Sequence, residues 1–159
     1  MKNKKHLPFF GVGPFIASFQ VAITIIGVIL SHFGYIYLLR VDFLNIPFKI
    51  IGAFFIAFGV YLFYGAHYKA KLFNNVAENN LVTTGVYSIV RNPIYSGFFI
   101  GCAGLVLMAN NLFLLIIPFI CWIFMTVVLK YTEEKWLKNL YGDEYINYCK
   151  KVNRCIPWF

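Results

Sequence analysis

Stretches free of Asp, Glu, Lys and Arg alternate along the chain with short charged segments, and three of them are long: residues 7–39, 50–66 and 92–129. A helix that crosses the hydrocarbon of a bilayer needs about 20 mostly apolar residues, so each run predicts a span and the third has room for two. Asn110-Asn111 divides that third run. Paired amides suit a tight turn at an interface far better than the middle of a bilayer. The pattern therefore predicts helices over about 14–38, 46–66, 94–109 and 112–129, with Pro8 and Pro14 near the start of the first and Lys49 at the edge of the second.

After the fourth run the period changes character. Trp136, Leu137, Leu140 and Tyr141 recur at helical spacing, Gly142 is placed to end that helix, and Asp143 is placed to cap another. Tyr145, Tyr148, Cys149 and Val152 continue an apolar stripe. An amphipathic pair of helices, lying on the membrane surface or on the protein core, is the expectation. The predicted class is thus all-α: a polytopic membrane protein with about four transmembrane helices and a cytoplasmic C-terminal amphipathic segment, in one domain over residues 1–159.

Composition agrees with this reading. Of the 159 residues 60% are hydrophobic and only 13% charged, against about a quarter charged in soluble domains. The charge balance adds orientation. With four spans, Lys2, Lys4, Lys5, Lys69, Lys71, Arg91, Lys130, Lys135, Lys138, Lys150, Lys151 and Arg154 share one side, and Arg40 and Lys49 take the other. Basic residues favour the cytoplasmic side, so both termini are expected there; in a bacterium the membrane is then the cytoplasmic one. The net charge of +8 reads as topology plus attraction to anionic lipid headgroups, and no nucleic-acid partner is expected. The amino-terminal MKNKKH and the apolar run after it read as an uncleaved first span, because that run is too long for a signal peptide and lacks a small-x-small cleavage site. Cys102 and Cys121 fall in predicted spans, while Cys149 and Cys155 have no metal-like spacing, so reduced thiols and no metal site are expected.

Between the second and third spans lies the most turn-rich stretch of the chain, LVTTGVYSIVRNPIYSG, residues 81–97. Gly85 permits a backbone turn, Asn92 suits an N-cap position, and Pro93 suits the first turn of the third helix. A simple connector would account for those three residues, but it leaves Tyr87, Arg91 and Tyr95 without a purpose. Glu133 and Glu134, four and five residues beyond Leu129, are placed at the membrane boundary on the side where basic residues are favoured. A cationic partner is expected for them: Lys130, Arg91 or a positively charged ligand. Gly97, Gly101 and Gly104 bring small residues to adjoining turns, a spacing read chiefly as close helix contact.

Taken together, Leu81, Val82, Gly85 and Tyr87; Arg91, Asn92, Pro93 and Tyr95; Glu133, Glu134 and Leu137; and Tyr141, Gly142, Tyr145 and Tyr148, with Pro157 closing, resemble the cytoplasmic half of the isoprenylcysteine carboxyl methyltransferase and phospholipid methyltransferase group. The resemblance covers about residues 79–157. Two positions depart from the family pattern, Asn92 where a His is common and Tyr141 where a Phe is common. The resemblance implies an integral-membrane enzyme that moves a methyl group from S-adenosylmethionine to a lipid-like or isoprenoid acceptor, a carboxylate, amine or thiol, and releases S-adenosylhomocysteine. It places Asn79, Asn80, Leu81 and Val82 along the adenosyl part with Tyr87 beside it. Asn92, Pro93, Ile94 and Tyr95 would cup the cofactor, and Glu133 would contact its ammonium or ribose hydroxyls, with Glu134 as its neighbour. It assigns no catalytic base. Such a transfer is an in-line displacement that needs no metal and depends on positioning and exclusion of water. The competing readings are an NADPH-dependent membrane reductase of the sterol reductase type and a non-catalytic membrane protein. The reductase pattern asks for an acidic residue about two positions after the Tyr, where this chain has Ser96, Gly97 and Phe98.

Overall fold

A computed structural model describes residues 11–36, 40–69 and 80–157 of the chain. Its elements are helices, and among the described residues there is no strand; an isolated antiparallel bridge joins Arg40 to Asn111. The apolar helices are α1 (Gly13–His32), α2 (Asn45–Tyr64), α3 (Pro93–Met108) and α4 (Ile116–Tyr131), followed by the short amphipathic α5 (Glu133–Tyr141) and α6 (Asp143–Lys151). Single 3₁₀ turns precede α2 and α4, and α2 runs into a π-helical turn over Gly65–Lys69.

Three helical stretches, Gly13–His32, Asp42–Tyr68 and Leu112–Tyr141, are long and apolar enough to cross a membrane. Helix α3 is apolar throughout but shorter, 16 residues and about 24 Å, because Pro93 fixes its start and the Asn110 turn fixes its end. The first helix ends at His32, six residues before the expected end, where Gly34 (φ +80°) turns the chain. Their outward faces carry large apolar side chains such as Ile50, Phe54 and Phe119, as expected where lipid is the solvent.

Glycine pairs set the distance between α2 and α3. A Cβ built on Gly59 would lie 2.5 Å from the Gly97 carbonyl oxygen, and one on Gly97 would lie 2.7 Å from that of Gly59. Two turns along, Gly52 and Gly104 stand in the same relation at 2.6 Å in each direction. The pairs are seven residues apart on both helices and run in opposite order, so the two backbones touch in antiparallel contact, the close approach that small residues permit. Gly101 differs: a Cβ there would meet nothing within 4 Å. Helix α3 also packs on α1 and α4, and Phe99 borders all three apolar clusters of the interior.

At the end of the bundle where α3 turns into α4, the predicted amide turn is present. Asn110 adopts a left-handed conformation (φ +49°), which Asn tolerates better than most residues. Asn111 is buried with its hydrogen-bonding groups engaged: Nδ2 donates to Ser31 Oγ (2.9 Å) and to the Ile36 carbonyl (3.0 Å), and Oδ1 accepts from the Phe113 amide (3.1 Å). Asn110 Nδ2 donates to the Val41 carbonyl at 3.2 Å. One amide pair thus ties the α1–α2 connection to the α3–α4 turn.

The glycine contacts generate a paired prediction. Gly97→Ala forces backbone apart, since its nearest obstacles are the Gly59 carbonyl and the Phe63 amide, and should cost about 1–3 kcal/mol in detergent unfolding. Gly101→Ala should be neutral, or stabilising by up to about 1 kcal/mol through helix propensity. Equal melting curves for the two variants would show that the α2–α3 contact is looser than described.

Candidate active site

The opposite end of the bundle collects the starts of α1 and α3, the end of α4, the whole of α5 and α6, and the segment 80–92. Two local features aim its carboxylates. Thr132 breaks the helix between α4 and α5 (φ −117°, ψ −89°), and Glu133 and Glu134 then occupy the first turn of α5, where acidic residues complement the exposed amides. Neighbours on a helix point about 100° apart, so the two side chains diverge.

Glu133 turns toward α1 and α3. Its Oε1 accepts from the Tyr95 hydroxyl at 2.7 Å and from the Val12 amide at 3.2 Å. Glycines make the approach possible: a Cβ on Gly11 (φ +50°) would lie 2.3 Å from Glu133 Oε1, and one on Gly13 would lie 2.9 Å from the Tyr95 hydroxyl. The start of α1 is therefore laid across the Tyr95–Glu133 pair. Lys130, an expected partner of Glu133, instead lies near the Tyr131 ring, 5.9 Å from its centroid.

Glu134 turns the other way and is held between two guanidinium groups. Arg154 donates from Nε to Oε1 (2.6 Å) and from Nη2 to Oε2 (2.8 Å), a bidentate pair, and Arg91 Nη2 lies 3.1 Å from Oε1. The side chains of Arg91, Glu134 and Arg154 are 9%, 12% and 24% exposed, so this is a largely buried triad. The bond to Glu134 raises the Arg154 pKa above its ordinary value, holding the guanidinium charged. Arg91 also donates from Nη1 to Cys149 Sγ, lies over the Tyr145 ring at 6.0 Å, and has a buried Nε with no hydrogen-bond partner among the described residues.

Backbone bonds complete the joint between the 80–92 segment and the C-terminal segment. The amides of Arg91 and Asn92 donate to the carbonyls of Asn153 (2.9 Å) and Arg154 (3.2 Å). Tyr148, buried, donates its hydroxyl proton to the Tyr87 carbonyl. Burial, followed by the nearby Tyr148 and Glu133, pushes the Tyr87 phenol well above its ordinary pKa and keeps it neutral. Cys155 is buried against Ile16, Met125 and Leu129, and its thiol is pushed up to about 12 by that burial.

The predicted residues are not all brought together. Tyr95 and Glu133 are in direct contact. Tyr87 belongs to the apolar cluster of Leu62, Ala66, Val86, Val90 and Ile100, against which Val82 and Ile94 pack, while Leu81 is half-buried and Asn80 exposed on the stretch before Gly85. Pro93 is fully buried at the head of α3. Asn92 occupies the N-cap position without capping: its side chain makes no bond to the helix amides, and its Nδ2 donates to the Arg154 carbonyl at 3.1 Å. Asp143, expected as a cap, is instead the first residue of α6, the cap being Gly142 in a left-handed conformation. Asn79 lies outside the described residues. Arg91, expected as a partner of the glutamates, pairs with Glu134. Arg154 and the Gly11–Val12 backbone join the site although neither was predicted to.

Comparison with known proteins places this geometry in context. The phospholipid methyltransferase family profile matches residues 47–144, which include the Arg91–Glu134 pair, Tyr95 and Glu133. The chain is 36% identical over 82 residues to protein-S-isoprenylcysteine O-methyltransferase B of Arabidopsis thaliana, covering 51% of this chain and 41% of that protein. It is 40% identical over 81 residues to protein-S-isoprenylcysteine O-methyltransferase of Schizosaccharomyces pombe (50% and 34%), and 39% identical over 74 residues to methanethiol S-methyltransferase 1 of Bradyrhizobium diazoefficiens (46% and 25%). The chain thus spans well under half the length of these relatives. No solved structure matches it. The extent of the profile match shows that the chain belongs to the phospholipid methyltransferase family.

The triad generates a prediction about stability. Glu134→Gln keeps the shape but leaves two neighbouring guanidinium groups without a countercharge. Breaking a buried pair costs about 3–5 kcal/mol, and the partial exposure of Arg154 reduces this to about 2–3 kcal/mol in detergent unfolding. A loss under about 0.5 kcal/mol would mark the triad as a surface pair.

Proposed function

We propose that this member of the phospholipid methyltransferase family transfers a methyl group from S-adenosylmethionine to a lipid-like acceptor within the membrane. One observation carries the reading: a partly buried carboxylate, Glu133, fixed by Tyr95 and by the start of α1 at the place where the profile-matched segments converge. The cofactor carries a sulfonium, an ammonium and a carboxylate, and when bound it supplies a methyl group activated by the adjacent positive sulfur. The residues present fit such a group. A carboxylate offers about four lone-pair sites, so Glu133 retains acceptor capacity beside its two donors for an ammonium or ribose hydroxyl. The Arg91 Nε–H in the neighbouring layer supplies a buried donor suited to an anionic oxygen. Tyr95 holds the Glu133 carboxylate in one orientation, and the start of α1 shields that pair from water.

The family names restrict the acceptor only partly. Relatives are named for isoprenylcysteine and for methanethiol, a protein lipid group and a small thiol. The apolar bundle beneath this site favours an acceptor with a hydrocarbon part. In this proposal α1 to α4 all cross the membrane, α3 shortened by its two turn signals, and the end bearing Glu133 faces the cytoplasm. In support, Arg91, Lys130, Lys135, Lys138, Lys150, Lys151 and Arg154 lie at that end, with Arg40 and Lys49 at the other. A reporter fused after Phe159 should be active only in the cytoplasm; activity confined to the outside would reverse the orientation.

Glu133→Gln tests the role of the carboxylate directly. Gln keeps an oxygen for Tyr95 and Val12 but loses the charge that would face the cofactor. A hydrogen bond with a charged partner contributes about 1.5–3 kcal/mol, so affinity for S-adenosylhomocysteine should fall roughly ten- to a hundredfold while the melting curve barely moves. An unchanged affinity would remove Glu133 from the cofactor site.

A further inference from the structure

Between α1 and α2, floored by α3, runs an apolar groove of about 360 Å³ whose walls include Val21, Gly59, Phe63, Phe98, Gly101 and Leu105. Gly101 has no packing reason to be glycine. The four other glycines of α2 and α3 each lie against opposing backbone, whereas a Cβ at 101 meets nothing within 4 Å. Glycine inside a helix costs about 1 kcal/mol relative to alanine, and although the Gly101 backbone lies against Gly59, its own Cβ direction is open and gains no contact that offsets that cost. What the missing side chain leaves is space in the groove.

The position of that space is informative. Phe98 and Cys102, both on the groove, follow Tyr95 by three and seven residues and so lie on adjoining parts of the same side of α3, one and two turns along. The groove therefore begins about 5 Å along the helix from Tyr95, whose hydroxyl is bonded to Glu133, and extends about 10 Å farther to Leu105. Its lining is hydrocarbon apart from the Cys102 thiol, with no charged side chain. Such a surface gains nothing from a polar headgroup and favours a chain of methylene or isoprene units.

We infer that this groove is the subsite for the hydrocarbon chain of the methyl acceptor, which extends along α3 while the reacting head group stays at the Tyr95–Glu133 end. The inference rests on the methyltransferase reading for the identity of the head, and on the groove alone for the chain. Gly101 is then a specificity residue: its side chain would occupy the space that the acceptor chain needs.

The test uses diazirine-bearing farnesol as the probe, added in trace amount to the purified full chain in phospholipid nanodiscs. After illumination, label should concentrate on peptides containing residues 56–63 and 97–105, rather than on the outward positions Ile50, Phe54 and Phe119, and excess unlabelled farnesol should displace it. Gly101→Leu should reduce that labelling about tenfold, equivalent to about 1.4 kcal/mol, while leaving S-adenosylhomocysteine affinity unchanged. Gly101→Ala, which clashes with nothing, keeps the test independent of folding. Label spread evenly over the outward faces, or not displaced by farnesol, would mean bulk lipid only and overturn the inference. So would strong labelling of Gly101→Leu, or a dimer whose second copy fills the groove. Absence of S-adenosylhomocysteine binding by the wild type would strike the methyltransferase reading instead, because the labelling pattern is read separately.

Discussion

Two adjacent carboxylates at the end of an apolar bundle impose the constraint from which the site follows. A carboxylate withdrawn from water must be paired or hydrogen-bonded, or its burial costs several kcal/mol, and Glu134 meets this with guanidinium groups while Glu133 meets it with neutral donors on the other side. Glu134 draws Arg91 and Arg154 together and so fastens the 80–92 segment to the C-terminal segment. Glu133 draws in the hydroxyl of Tyr95 and the Val12 amide just before α1. Segments distant in sequence thereby become one polar layer, and the break at Thr132 lets a single helical turn reach them all.

Beneath that layer the bundle supplies rigidity without polar cost. The Gly52–Gly104 and Gly59–Gly97 contacts fix α3 against α2 at backbone distance, and the Asn111 amide fixes the opposite end through Ser31 and Ile36. Tyr95, on the first turn of α3, inherits its position from those contacts. The methyl transfer proposed for this site would need such support, since misplacement of donor and acceptor by about 1 Å lowers rates steeply.

Much of the architecture was legible in the amino-acid pattern because it depends on local signals. Apolar runs, the Asn110-Asn111 turn, Pro93 at a helix start, Gly142 between two amphipathic helices and the small residues of α3 all act over a few positions. The site was legible less evenly. Which of two neighbouring glutamates faces the interior depends on the helix phase after Thr132, which composition does not encode. Arg154 as the partner of Glu134, and the backbone of Gly11 and Val12 as a cover for Glu133, arise from contacts over 20 and 121 residues of sequence. Asn92 shows the same limit: its position suits a cap, yet tertiary contact with Arg154 takes its side chain elsewhere. Gly101 shares a spacing with Gly97, but only the three-dimensional arrangement separates a glycine needed for contact from one that leaves space.

The central claim is that this polar layer is a site for a sulfonium methyl donor. Equilibrium binding of S-adenosylhomocysteine to the purified wild-type chain in nanodiscs, with NADPH titrated in parallel, measures it most directly. The account predicts saturable binding of S-adenosylhomocysteine at one site per chain and none of NADPH. Saturable binding of NADPH without S-adenosylhomocysteine binding, or binding of neither, would contradict it.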